Sequence, residues 1–119
     1  MTTESSRESF RSDLVECLRR LAAPAGLQTQ YLRTLGVYPS ADELALELHE
    51  LALVSPSKAA AGELTIAEQA AVARLDRQIE SFSGSQNQSL WVAAALATAD
   101  EWKQVRTMAS ECLGVFGAT

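Results

Sequence analysis

With 119 residues the chain has room for one domain and one hydrophobic core, so a single helical domain over residues 1–119 is expected. Its 47% apolar and 21% charged residues exclude a disordered or collagen-like chain. Fifteen acidic side chains against ten basic ones leave a net charge of −5. That balance argues against nucleic acid as a partner, because phosphate binding is carried by Lys and Arg.

Ala (20) and Leu (16) enter helices at little cost, while the β-branched Val and Ile together number only 9. The expected fold is therefore all-α: a compact bundle of four main helices plus one short helix, with the last helix long and central. No run of apolar residues is long enough for a membrane span, and the start Met1-Thr-Thr-Glu-Ser-Ser is polar rather than a signal core. The expected location is the cytoplasm. Cys17 and Cys112 fall in separate amphipathic patterns, far from any metal or redox spacing, and read as buried reduced thiols.

Residues 1–4 are expected to be disordered. Phe10, Leu14, Cys17, Leu18 and Leu21 then recur at spacings of three and four, predicting a helix over 5–23 that stops at Pro24 and Gly26. Its arginines, Arg7, Arg11, Arg19 and Arg20, are expected to pair with Glu4, Glu8, Asp13 and Glu16 on the same helix. A short helix over 27–35 carries Leu27, Tyr31, Leu32 and Leu35, with Gly36 as its C-terminal cap.

Pro39-Ser40 opens a third helix, with Ser40 and Glu43 as a capping box and Ser55-Pro56 as the stop after Val54. Two apolar stripes run along it. Leu44, Leu48 and Leu51 form one, extended by Ala41, Ala45 and Ala52; Leu46 and Leu53 form another on nearly the opposite side, with His49 between them. A surface helix of a monomer needs only one such stripe, so this helix is either sandwiched inside the domain or shared with another subunit.

Residues 55–64 read as a connection with a helical turn at 58–61. Thr65 and Glu68 form a capping box that opens a helix to Phe82, with Val72, Leu75, Ile79 and Phe82 on its apolar face. The polar stretch 83–89 is expected to be a flexible loop. The last helix is expected over 86–113, capped by Ser85 and Gln88. Its seam of Trp91, Ala95, Thr98, Trp102, Val105, Ala109, Cys112 and Phe116 alternates spacings of four and three. A further capping pattern at Thr98–Glu101 marks a place where this helix could break, but the unbroken phase of the seam favours one continuous helix.

Few residues suggest chemistry. His49 is the only histidine, and the position three before it is Leu46 rather than the glutamate of a bundle metal motif. Its own helix offers no close carboxylate on the same face, so no metal site is expected. There is no Gly-x-Ser-x-Gly elbow, no exposed electropositive cysteine and no glycine-rich phosphate loop, so neither a catalytic residue nor a cofactor is expected. Tyr31–Val54 has the outline of a helix-turn-helix, but residues 41–54 carry four acids and no Lys or Arg, the wrong charge for reading DNA. Trp91 and Trp102 share one face, as core anchors or as the lining of a pocket.

The function expected from the sequence is a non-catalytic protein-interaction role with self-association as a homodimer. The candidate interface is Leu46, His49, Leu53, Leu90, Val92 and Leu96, because both the third helix and the start of the last carry more apolar surface than one inward stripe requires. A second, basic protein partner would be met by the acidic face of the third helix. The alternatives are a helix-turn-helix-like regulator and a small-molecule sensor with a pocket near Trp91 and Trp102.

Overall fold

The computed structural model describes residues 3–36, 38 and 40–118, with side chains from Ser9 onward. Among these residues the protein is an all-α bundle with no strands. Six α-helices follow in order: α1 (Thr3–Ala22), α2 (Ala25–Thr34), α3 (Asp42–Ala60), α4 (Ile66–Glu80), α5 (Ala95–Thr98) and α6 (Asp100–Val115). A 3-10 segment, Ser85–Trp91, lies between α4 and α5. Four long helices form a ring in which α1 packs on α6, α6 on α4, α4 on α3 and α3 on α1. Short α2 touches α1 and α5, and α5 packs on α6. No described helix is long and apolar enough to cross a membrane.

The apolar stripes read from the sequence line the core. Leu14, Cys17, Leu18 and Leu21 of α1 meet Leu44 and Leu48 of α3, Val72, Leu75 and Ile79 of α4, and Trp102, Val105, Ala109 and Cys112 of α6. Gly36 adopts the left-handed φ of +74° just after α2, as its predicted capping role requires. Thr65 and Glu68 form the expected capping box on α4.

Several boundaries differ from expectation. Thr3 and Glu4 are helical rather than disordered, while Met1 and Thr2, like Pro39, lie outside the described residues. The Ser40–Glu43 box does not form. Ser40 pairs with Val92 in an isolated antiparallel bridge, and the Ala41 amide donates to the Trp91 carbonyl at 2.9 Å. These contacts pin the backbone so that Ala41, not Ser40, is the N-cap.

Nor does α3 stop at Pro56, which is an interior residue of the helix. Proline removes one amide and crowds the carbonyl four residues back, but the flanking serines bond the backbone locally. Ser55 Oγ donates to the Leu51 carbonyl at 2.9 Å and Ser57 Oγ to the Val54 carbonyl at 2.9 Å. The helix ends at Gly62 (φ +79°), where the Glu63 amide reaches back to the Lys58 carbonyl and the Gly62 amide to Ala59. This pair of bonds is a Schellman motif, placed six residues later than the sequence suggested.

The largest difference is in the last helix, which is not continuous. The stretch 83–89 is a turn entering the 3-10 segment, with Gly84 rather than Ser85 at its N-cap. Ala99 is extended (φ −81°, ψ 134°) and separates α5 from α6. The reason lies in the hydrogen bonds of buried groups. Trp102 Nε1 donates to the Leu90 carbonyl at 2.6 Å, and Arg106 Nη1 to the Leu96 carbonyl at 2.6 Å. In one unbroken helix those carbonyls would be used internally, leaving a buried indole N–H unpaired. Asp100 then occupies the first helical position, where its amide needs no intrahelical partner. We therefore expect Asp100→Pro to change the unfolding free energy by less than about 1 kcal/mol. A helix running through this point would lose about 3 kcal/mol or more in the same urea titration.

Candidate functional site

The inner face of α3 buries Ala41, Leu44, Leu48 and Ser55 against the bundle. Its other stripe does not face the core: Leu46 is 49% exposed and Leu53 66%. Of the two sequence alternatives for this helix, sandwiching inside the domain is therefore ruled out. His49 lies between the two leucines on the same side, with its side chain 45% exposed. Val92 is also exposed, at the N-terminal end of α3 through its bridge to Ser40. Leu90 is half-buried against the core.

Leu96 is a correction. It is fully buried and cannot be an interface residue of the folded chain. The apolar run 90–96 looked like surplus surface on a straight helix; because the chain folds back there, Ala93, Ala95 and Leu96 pack inward instead.

Beside the exposed stripe, α3, α4 and the segment 83–91 enclose an open groove of about 520 Å³. Trp91 lines this groove, while Trp102 does not. The Trp102 ring is fully buried in an edge-on cluster with Phe82 and Trp91, its centroid 5.2 Å from each. Trp91 Nε1 donates to the Phe82 carbonyl at 2.9 Å, which fixes its ring at the groove wall. The sequence paired the two tryptophans by spacing; the break before α6 gives them different roles.

The ionisable residues of the groove are Asp42 and His49 from α3 with Asp76 and Glu80 from α4, and no described Lys or Arg lines it. His49 Nδ1 lies 3.2 Å and 3.3 Å from the two Asp76 carboxylate oxygens. Glu80, one turn beyond Asp76 on α4, brings a carboxylate oxygen into the same cluster, whose three ligand atoms lie within 4.8 Å of one another. Sequence reasoning missed Asp76 and Glu80 because it sought partners for His49 along its own helix. Their spacing of four was legible, but which helix faces α4 was not.

No family model, curated protein or solved structure matches this chain.

Away from the groove, the described arginine side chains of α1 divide between partners on α1 (Arg19) and on other helices (Arg11 and Arg20), while Glu4, Arg7 and Glu8 lie outside the described side chains. Arg19 pairs along α1, with Glu16 at 2.9 Å, as expected. Arg20 Nε donates to Glu47 Oε2 at 3.0 Å while its guanidinium stacks 4.8 Å from the Tyr31 ring centroid. Tyr31 donates its hydroxyl to the other Glu47 oxygen. Burial and this carboxylate push the Tyr31 phenol up to about 12. Glu47 is therefore engaged in holding α1, α2 and α3 together and is not part of a free acidic face. Both thiols are free, and burial raises Cys17 to about 12 and Cys112 to about 11, far from the range of a reactive thiolate.

Proposed function

We propose that the protein is a non-catalytic interaction module that self-associates through the outer face of α3. The observation that carries this is the pair Leu46 and Leu53, one heptad apart and both left to solvent. Burying a leucine side chain stabilises by about 1.5–3 kcal/mol, so a surface that sheds two of them from water has a real driving force. An antiparallel two-fold contact sets Leu46 of one copy against Leu53 of the other, with the two His49 side chains near the axis.

The non-catalytic reading is supported by the chemistry of the candidate nucleophiles. The thiols are buried, and His49 has Asp76 as its hydrogen-bond partner, with no hydroxyl bonded to it among the described residues. The two free thiols fit a reducing compartment, the cytoplasm. Regulation through DNA is disfavoured by α3, whose first cation is Lys58, near its C-terminal end.

The test is the double variant Leu46→Glu with Leu53→Glu. Because both side chains are exposed, the variant should keep the helical signal and urea midpoint of the parent while sedimenting as a monomer. An unfolded variant, or one that still forms the parent's dimer, contradicts the proposal.

One observation favours a second reading. Glu50 lies one turn after Leu46 and close to the two-fold axis, so two copies bring Glu50 near its own equivalent, whereas a basic amphipathic partner would meet opposite charge. Ionic strength separates the two. Salt screens the repulsion and should tighten self-association, but it should weaken binding to a basic partner.

A further inference from the structure

The groove between α3 and α4 carries a second inference, built on three side chains of a single chain: we propose that His49, Asp76 and Glu80 bind a divalent first-row transition cation of the zinc type. The geometry is close to what such an ion needs. In a tetrahedral site with bonds of about 2.0–2.2 Å, neighbouring ligand atoms sit about 3.3–3.6 Å apart. His49 Nδ1 is already 3.2 Å and 3.3 Å from the Asp76 oxygens. The set as a whole spans no more than 4.8 Å, so small side-chain rotations bring it onto one ion.

Those distances are a hydrogen bond in the chain alone and also match the ligand-to-ligand edges of a bound ion. The imidazole nitrogen sits almost equally far from both carboxylate oxygens, so either oxygen can share an ion with it.

Charge and ligand type choose the ion. Two carboxylates and a neutral imidazole carry −2, which a divalent cation cancels. The only other described charge in the groove, Asp42, adds to the attraction, and no described Lys or Arg competes for the carboxylates there. One imidazole nitrogen with two carboxylates suits zinc, cobalt or manganese. Calcium and magnesium prefer oxygen alone, and structural zinc prefers thiolates. Asp76 and Glu80 come from one helix and His49 from its neighbour, both rigid elements of the bundle, and the groove leaves the remaining coordination positions to water.

The experiment is calorimetric titration of the metal-stripped full chain with zinc chloride, alongside cobalt(II) titration followed by visible absorption and by quenching of Trp91, which lines the same groove. One saturable site per chain is expected, with His49→Ala and Asp76→Asn each weakening it at least about tenfold. Both variants should keep the parent's circular dichroism, since neither side chain is part of the core. Because all three ligands come from one chain, titration at a dilution where light scattering gives the monomer mass keeps this result distinct from self-association. The absence of saturable binding, or binding unchanged in His49→Ala, overturns the proposal.

Discussion

Replacing Trp102 by alanine should lower the unfolding free energy by about 3–5 kcal/mol, a large share of the 5–15 kcal/mol typical of a domain. Trp102 has no exposed surface, packs edge-on against Phe82 and Trp91, and donates its indole N–H to the Leu90 carbonyl. Removing it leaves a cavity where α6, the end of α4 and the 3-10 segment converge, and it orphans the carbonyl that holds the chain reversal. Trp102→Phe separates the two contributions. It keeps most of the ring volume and loses the donor, with an expected cost of about 1–3 kcal/mol. Urea titration followed by circular dichroism reads both. A Trp102→Ala midpoint within the range of ordinary surface substitutions would contradict the packing described here.

Glu68→Ala should be nearly as damaging, at about 2–4 kcal/mol, because one side chain performs two tasks. Glu68 Oε1 accepts the Thr65 amide at 2.9 Å in the capping box, and its two oxygens accept from Arg11 Nη1 and Nη2 at 2.8 Å and 3.0 Å. The Arg11 hydrogen bond above all, aided by Thr65 and opposed by burial, holds the Glu68 carboxyl below its ordinary value. A carboxyl lowered in the folded state contributes stability that is complete above its unfolded value and is lost as pH falls through the folded one. The parent should therefore lose stability as pH drops below the ordinary glutamate value of about 4.3. Glu68→Gln, which keeps an acceptor for Thr65 but no charge, should show a shallower decline over the same range. Equal slopes would show that the Arg11–Glu68 pair does not govern that region.

The contrast between these two residues shows how far the sequence was legible. Thr65-x-x-Glu68 was readable as a capping box because capping is local: every atom involved lies within four residues. That Glu68 also bonds Arg11, 57 positions earlier, depends on α1 and the start of α4 meeting in space, and no spacing within either helix signals it. The apolar stripes of α1, α3 and α4 were legible for the same local reason, since a helix with one greasy side must bury it.

The last helix was misread because its seam obeys helical periodicity across residue 98, while the deciding interactions are non-local. The Leu90 and Leu96 carbonyls bond Trp102 and Arg106 across the chain reversal, and tertiary hydrogen bonds outweighed local pattern. Leu96 was lost from the candidate interface by the same fold-back. At the groove, His49 and the Leu46/Leu53 stripe could be seen in one helix, whereas Asp76 and Glu80 became visible only when α4 was placed beside it.

The mass of the parent chain in solution tests most directly whether the outer face of α3 is a contact between copies. Light scattering across a dilution series at moderate salt should give twice the chain mass of 12.8 kDa at tens of micromolar, falling toward 12.8 kDa on dilution. A mass of 12.8 kDa at every concentration would contradict it.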